Sequence, residues 1–369
     1  MKIETSSQDL LTELQTATRV ASTRSAVQAM SGVQMVAEAG KLELRATDQE
    51  VAVRVPVNAT IAREGTVVLP ARLLLDVVRQ LPEGTVSLEL RPAEQDVEVV
   101  SGPAKFHLRT LRSEDFPNLP EPGGDQVVDV PAQAFVETIA MVSRSASRDE
   151  TRPILTGILV SAQGAELRMV ATDSYRLSVK ETALDPAIDG SFEANVPARA
   201  LQELERIVAA GSDERIRIGV RANQIVFEVG AVVLSSRLIE GQFPNYRQLL
   251  PESYEHELRM NGDELAGVVR RISLMAQKNA PLRLSFKEGE LEVSAQTPDV
   301  GEASEPVPAP FSGEAFEIGF NPDFLRDGLE SAGGDDLVLK LISPLRPGLI
   351  ESGDGSGFLY LIMPIRLNV

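Results

Sequence analysis

Leu42-Glu-Leu-Arg-Ala-Thr47-Asp48 has two echoes further along the chain: Leu167-Arg-Met-Val-Ala-Thr172-Asp173 and Leu291-Glu-Val-Ser-Ala-Gln-Thr297-Pro-Asp299. The three threonines stand 125 residues apart. Self-similarity at one long period marks a chain built from repeated units. Two further features keep the same order and nearly the same period. A proline opening a helical pattern recurs as Leu69-Pro70-Ala-Arg72, Val196-Pro197-Ala-Arg199 and Asn321-Pro322-Asp-Phe324. Asp115-Phe116-Pro117-Asn118-Leu119-Pro120 returns as Gln242-Phe243-Pro244-Asn245-Tyr246. Three repeats use up the whole 369-residue chain. The Phe-Pro-Asn segments read as linkers, because proline holds its predecessor extended. Leu119-Pro-Glu-Pro-Gly-Gly124 adds further chain breakers. The expected domains are 1–120, 121–248 and 249–369.

Each repeat opens with an amphipathic helix. Leu10, Leu14, Ala17 and Ala21 fall at helical spacing behind Ser6 or Ser7 as N-cap. Phe135, Ile139, Val142 and Ala146 follow Pro131, and Leu265, Val268, Ile272 and Met275 follow Asn261. A second helix starts at Pro70, Pro197 or Pro322, since proline suits the first helical turn. Elsewhere the period is two. Val51, Val53, Val55 and Val57 alternate with Ala52, Arg54 and Pro56, and Ile216, Ile218 and Val220 with Arg215, Arg217 and Gly219. That alternation marks half-buried antiparallel strands. The fold class is therefore α+β: three repeated domains, each with two short helices on one face of one antiparallel sheet layer.

Composition narrows the function. Hydrophobic residues at 43% suffice for packed cores. With 36 Lys+Arg against 54 Asp+Glu the net charge is −18, which argues against a conventional basic nucleic-acid binder. No cysteine is present, so disulfides, thiolate metal sites and thiol nucleophiles are excluded. His107 and His256 are the two histidines, too few for a His-rich metal site. Tryptophan is absent and aromatics are 4%, which disfavours a base-stacking platform for single strands. Met1-Lys-Ile-Glu-Thr5 has no apolar core like that of a signal peptide. The longest apolar runs, such as Phe358 to Ile365, fall far short of a membrane span. A soluble cytoplasmic protein with no membrane contact is the expectation.

The negative charge is unevenly spread. The six helices with their adjoining turns (6–24, 70–81, 131–152, 197–209, 261–283, 322–332) hold 14 Lys+Arg and 13 Asp+Glu. The excess acid therefore lies on strands and loops. Mixed charge on ordinary helix surfaces would give that count. So would helices that face an anion while the acidic remainder repels it. On the second reading Arg24, Arg72, Arg79, Arg144, Arg148, Arg152, Arg199, Arg206, Arg270, Arg271 and Lys278 would face the anion. A nearly neutral lining grips phosphate weakly, as a sliding protein requires.

Five segments carry a resemblance. They are Ala171-Thr-Asp-Ser-Tyr-Arg-Leu177, Glu240-Gly-Gln-Phe-Pro-Asn-Tyr-Arg247, Gly319-Phe-Asn-Pro322, Ser343-Pro-Leu-Arg-Pro-Gly348 and Tyr360-Leu-Ile-Met-Pro-Ile-Arg-Leu367. Together, and over essentially the full length, the chain resembles the bacterial DNA sliding clamp, the β subunit of the replicative polymerase. The resemblance implies a non-enzymatic processivity factor with no cofactor and no metal. It implies a head-to-tail homodimeric ring, the DNA clamp fold, closed around double-stranded DNA without regard to sequence, helices inside and sheets outside. The implied partners are the replicative DNA polymerase, a clamp loader and other proteins carrying short clamp-binding peptides, and the implied place is the cytoplasm, at the nucleoid. The implied partner-binding groove takes Leu155, Thr172, Ser174, Arg176 and Leu177 from the second domain and Pro244 and Leu249 from the linker and its end. Asn321, Phe324, Met363, Pro364, Ile365, Arg366 and Leu367 come from the third domain. The implied dimer interface places Phe106 and Leu274 at the joint, with Lys105 near Asp299, Glu302 and Glu305. Arg24, Arg152, Arg199 and Arg206 match family positions facing the hole. Three departures stand out: Gln248 where some relatives carry a second arginine, Pro153-Ile154 where the family has an aromatic pair, and Asn368-Val369 beyond the usual final leucine.

Other motifs read as structure. Gly353-Asp-Gly-Ser-Gly357 lacks the lysine and hydroxyl of a phosphate loop and precedes a strand, so it is a hairpin turn. Asp335-Asp336 and Asp149-Glu150 are paired acids of the kind that perform acid–base work, but in so acidic a chain they read as surface. His107 alternates with Phe106 and Leu108 on a strand. A carboxylate hydrolase and an acidic scaffold without a DNA role remain as the competing functions. The first would need a catalytic pair in one repeat that is missing from the others.

Overall fold

The computed structural model describes residues 1–22, 25–276 and 280–367. The first repeat contains β1 (Lys2–Ser6), α1 (Ser7–Val20), β2 (Gly32–Glu38), β3 (Lys41–Thr47), β4 (Val51–Val57), β5 (Ala59–Arg63), β6 (Gly65–Pro70), α2 (Ala71–Gln80), β7 (Thr85–Arg91), β8 (Asp96–Ser101) and β9 (Ala104–Arg109). The second contains β10 (Gln126–Pro131), α3 (Ala132–Val142), β11 (Gly157–Gln163), β12 (Glu166–Thr172), β13 (Arg176–Ala183), β14 (Ser191–Pro197), α4 (Ala198–Ala210), β15 (Arg215–Arg221), β16 (Gln224–Val229) and β17 (Val232–Arg237). The third contains β18 (His256–Met260), α5 (Gly262–Ile272), β19 (Leu282–Lys287), β20 (Glu290–Thr297), β21 (Gly301–Pro308), β22 (Phe316–Phe320), α6 (Pro322–Ala332), β23 (Leu337–Leu341), β24 (Gly348–Ser352) and β25 (Phe358–Ile362).

One sheet layer per repeat was expected, and the structure differs. Each repeat is a doubled strand–helix–three-strand unit, with β5 as an extra strand in the first, and its halves exchange their first strands. β1 pairs with β7, β10 with β15 and β18 with β23. Each repeat therefore feeds two sheets, and the sheets run across repeat boundaries. One compact unit is Met1–Ala132 with Glu203–Leu238. It holds a five-stranded sheet, β5-β1-β7-β8-β9, and an eight-stranded one, β10-β15-β16-β17-β4-β3-β2-β6. The other unit is Gln133–Gln202 with Ile239–Val369. It holds an eight-stranded sheet, β14-β11-β12-β13-β25-β24-β23-β18, and a four-stranded one, β21-β20-β19-β22. The joins are β17 on β4 and β25 on β13. Sequence alternation could not reveal this, because a strand shows its buried face but not its neighbour.

The recurring Thr-Asp is turn chemistry. Thr47 Oγ1 donates to the Val51 carbonyl at 2.8 Å and accepts from Gln49 N at 3.0 Å. Asp48 Oδ1 accepts from Glu50 N and Val51 N. Thr172 and Asp173 repeat those bonds with Arg176 O, Ser174 N, Tyr175 N and Arg176 N. Gln49 and Ser174 take φ near +80° (81° and 80°), a conformation these side-chain bonds stabilise. In the third repeat Thr297 Oγ1 instead donates to Met275 O at 2.7 Å. The hairpin there is one residue tighter, pairing Thr297 with Gly301 where Thr172 pairs with Leu177.

The helix starts are also partly revised. Pro70 is the N-cap of α2, and Pro131 and Pro197 end strands one residue before α3 and α4. Pro322 alone sits inside the first helical turn. Ser6 caps α1 and Asn261 caps α5 through side-chain oxygens. In the first unit α1 packs on α2, β3 and β4 with Leu10, Leu14 and Ala17 fully buried. In the second, α5 packs on α6, and one core holds Leu265, Val269, Leu325, Leu329 and Tyr360. Burying each of the leucine and valine side chains among them stabilises by about 1.5–3 kcal/mol.

Gly328, on α6, faces the buried Tyr360 ring: a Cβ there would lie 2.5 Å from ring carbons. Gly→Ala in a helix ordinarily stabilises by up to about 1 kcal/mol. Gly328→Ala is expected to reverse that sign and destabilise by about 1–3 kcal/mol through overpacking. Thermal unfolding of the two proteins checks it, and an unchanged or raised Tm refutes it.

Candidate functional site

The turn of Thr172 to Arg176 delivers Arg176 to the first residue of β13. Its Nε donates to Asp173 at 3.1 Å, its Nη1 to Asp327 at 2.6 Å and its Nη2 to the Arg144 carbonyl. The guanidinium carbon lies 4.4 Å from the centre of the Phe324 ring, within cation–π range. Tyr175 stacks on the same ring at 6.4 Å, and Tyr360 Oη donates to the Phe324 carbonyl at 2.7 Å. Burial opposes the Arg176 charge, but the carboxylates bonded to it, Asp327 and Asp173, outweigh it and raise the guanidinium pKa. Burial also raises the Tyr360 phenol above its usual range, so it stays a donor.

The last described residues run past this cluster. Met363 N donates to Tyr175 O at 2.9 Å, and Ile365 N to Gly319 O at 2.7 Å. A Cβ on Gly319 would meet Leu367 at 2.7 Å and the Ile365 carbonyl at 2.8 Å, so only glycine admits so close an approach. The result is a shelf of Tyr175, Phe324 and Met363, with Tyr175 60% and Met363 43% exposed.

The expected groove residues divide in two. Ser174, Pro244, Leu249, Met363 and Arg366 are exposed, and Phe324, Pro364, Ile365 and Leu367 half-buried. Leu155, Thr172 and Leu177 are buried and offer no surface, and Leu177 packs in the cluster under the linker. Asn321 caps α6, its Oδ1 accepting from Asp323 N at 2.9 Å and Phe324 N at 3.1 Å. Asn321→Ala is expected to cost about 1 kcal/mol of stability, read as a lower Tm; an unchanged Tm would deny the cap any energetic role. Pro244 lines a cavity of about 340 Å³ under the linker, floored by Leu159 and Val170. Tyr246 anchors that linker in a cluster with Leu177 and Leu361. Sequence reading missed Tyr175, Asp173 and Asp327. Tyr175 stood inside the quoted Thr-Asp-Ser-Tyr-Arg motif, but its exposure is a property of the fold and leaves no mark in the sequence. Asp327 lies 151 residues from Arg176 and left no local signal.

Arg24 and Lys278 lie outside the described residues. Most other arginines of the helical set are held by acids. Arg79 meets Asp76 at 3.4 Å, Arg206 meets Glu203 at 2.9 Å, and Arg271 meets Glu305 at 2.6 Å. Arg144 bonds Glu330 and approaches Asp327 at 3.6 Å, while Arg270 approaches Glu330 at 3.6 Å. Arg152 pairs with Asp149 at 3.0 Å and donates to Ser174 Oγ at 3.1 Å, which ties it to the shelf. Arg72 and Arg148 are exposed, and Arg199 lies on α4. Arg19, absent from the expected set, meets Glu203 at 2.5 Å.

At the expected joint, Phe106 is half-buried on β9 and Leu274 is 79% exposed. β9 and β21 each end a sheet. Within the chain Lys105 pairs with Glu98 at 3.0 Å and Glu305 with Arg271. Asp299 occupies a turn at φ 67°, and Glu302 is exposed on β21. Among the described residues no group of three or more His, Asp or Glu is placed to hold a metal, and no helix is long and apolar enough to cross a membrane.

Three family comparisons match in order along the chain. Residues 1–120 match the DNA polymerase III beta subunit N-terminal domain, 129–245 the central domain, and 247–366 the C-terminal domain. The beta sliding clamp of Synechococcus elongatus is 34% identical over 100% of both chains. That of Streptomyces coelicolor is 33% identical over 92% of each. The crystal structure of the DNA polymerase sliding clamp from Bacillus subtilis superposes with a TM-score of 0.92 at 28% identity, covering 100% of both chains.

Proposed function

The chain belongs to the DNA polymerase III beta subunit family, the beta sliding clamps, and from that premise we propose which residues do its work. It is a DNA polymerase processivity factor: two copies close head to tail around duplex DNA, slide along it and tether the polymerase and other replication and repair proteins. Tethering raises the effective concentration of the polymerase at its template, so it needs no catalytic group here. We read the chain as non-catalytic and as acting in the cytoplasm on the chromosome.

The ring reading rests on one observation, the pair of internal sheet joins. Each sets the third strand after the first helix of one repeat against the last strand of another repeat, third residue to third residue: Val53 opposite Leu234, and Ser178 opposite Tyr360. β21 and β9 are the strands in the same two places that the chain leaves at sheet ends. A second copy, placed head to tail, supplies the missing join, with Ala303 of one chain opposite Phe106 of the other. Two such joints close under two-fold symmetry.

The helices support it. At the internal joins an arginine nine residues past the first core position of a helix reaches the sixth residue of another helix: Arg19 to Glu203, and Arg144 to Asp327. The equivalent position in the third repeat holds Leu274, the most exposed large apolar side chain among the described residues. The joint between chains therefore carries an apolar side chain where the internal ones carry an arginine.

The Tyr175–Phe324–Met363 shelf receives short apolar peptide segments of polymerase and clamp loader. A Leu or Phe anchor buried there contributes about 1.5–3 kcal/mol. The decisive test is topological. Protein loaded on circular DNA by a clamp loader should co-elute with it and be released when the circle is cut. Retention on the cut DNA would replace encirclement by surface binding.

A further inference from the structure

The helix arginines are not simply presented to solvent, because acids hold them in pairs. Glu203 on α4 is buried, yet it splits its two oxygens between Arg19 at 2.5 Å and Arg206 at 2.9 Å. Glu330 on α6 splits its oxygens between Arg144 and Arg270, the latter at 3.6 Å. The arrangement occurs twice, in separate units and at both internal joins, with the acid on the later helix and an arginine arriving from the earlier one. We propose that Glu203 and Glu330 are counter-charges that set how strongly the clamp grips the DNA backbone. This rests on the reading that Arg144, Arg206 and Arg270 face the duplex.

Each trio carries one net positive charge in place of two. A guanidinium already bonded to a carboxylate has fewer N–H groups for a phosphate and gives up a charge-assisted bond to make a new one. The arginine heads are accessible enough to be shared, with side chains 35% exposed at Arg19 and 58% at Arg206. The bond from Arg144 holds the Glu330 carboxyl below its usual pKa, so this acid stays charged at neutral pH. The grip is thus kept weak by construction. Every phosphate contact released from an acid steepens the salt dependence of binding by about 0.9, and each such contact must be broken when the ring moves.

The test measures binding of the full-length protein to a blunt linear duplex across a sodium chloride series, by fluorescence anisotropy. Glu330→Gln and Glu203→Gln are each expected to bind more tightly and to steepen the slope of log K against log salt by about 1–2. Arg206→Ala and Arg270→Ala are expected to flatten it. Flattening by the arginine variants with no change in the glutamine variants overturns the proposal and leaves the DNA-facing reading intact. No change in any of the four overturns both. Glu203→Gln keeps the buried shape, and Glu330, on the surface, repeats the test where folding is not at stake. On nicked circles, loaded Glu330→Gln rings should also diffuse more slowly by single-molecule tracking, and unchanged diffusion counts against the proposal.

Discussion

Leu274→Asp is expected to convert the dimer into monomers at micromolar concentration. One chain is 39.9 kDa, so light scattering should report about that mass for the variant and about twice it for the parent. The size of the effect follows from closure. Each ring has two joints and Leu274 sits at both, so one substitution is felt twice. Losing an apolar anchor costs about 1.5–3 kcal/mol per joint. The new carboxylate also falls where the join pattern places Asp76 of the other chain, the sixth residue of α2 and the counterpart of Glu203 and Asp327. Like charges brought together out of water add to the loss. A total of about 6 kcal/mol raises the dissociation constant about 10⁴-fold. Leu345, also highly exposed at 64%, serves as the control, because Leu345→Asp should leave the mass unchanged. A dimer that survives Leu274→Asp refutes the joint.

The strand register gives this joint a second, sharper consequence. With Phe106 opposite Ala303, Lys105 must lie opposite Ser304. The chain has no native cysteine, so Lys105→Cys with Ser304→Cys is expected to form a single interchain disulfide per joint under mild oxidation and to give a covalent two-chain species in denaturing electrophoresis. A Lys105→Cys, Ala303→Cys pair, one residue out of register, should link far less. Equal linkage in both would mean that the edges do not pair as the internal joins do.

How far the sequence could be read depended on the range of each interaction. The Thr47 and Thr172 motifs were visible because their bonds close within four residues, and local chemistry repeats as local letters, whereas Thr297 keeps the letter but bonds Met275, 22 residues away. The helices were visible through Leu10, Phe135 and Leu265 and the positions spaced after them. The sharing of sheets between repeats was not, because β17 meets β4 across some 180 residues of chain and alternation looks the same whichever strand lies alongside. The arginines were found as letters, but their state was not. Arg19 and Glu203 are 184 residues apart, and nothing near either one announces the other. Counting charge on the helices gave near-neutrality, and the structure adds that Arg79, Arg144, Arg152, Arg206, Arg270 and Arg271 are each held by a specific acid. The groove was carried by resemblance. Its buried members, Leu155, Thr172 and Leu177, were indistinguishable from its exposed ones until burial was known.

Removing Met363–Val369 is expected to abolish binding of clamp-binding peptides while leaving the dimer intact. β25 ends at Ile362, so its pairing with β13 and β24 keeps every register contact. What is lost is the Met363–Tyr175 backbone bond, the Ile365–Gly319 bridge and three apolar side chains at Met363, Ile365 and Leu367. Those three, at about 1.5–3 kcal/mol each if a peptide buries them, match most of the roughly 8 kcal/mol of a micromolar complex. Phe324→Ala should be milder. It removes one wall and leaves Arg176 its bonds to Asp173 and Asp327, for a loss of about 10–100-fold. Gly319→Ala should fall between the two, since its new methyl displaces Leu367 without deleting anything. The order of the three, read by anisotropy with a labelled peptide from a replicative polymerase, is the diagnostic. If the truncated protein binds within about threefold of the parent, the segment after Ile362 is no part of the groove. If Phe324→Ala alone matches the truncation, the ring over Arg176 is the whole anchor and the C-terminal residues only cover it.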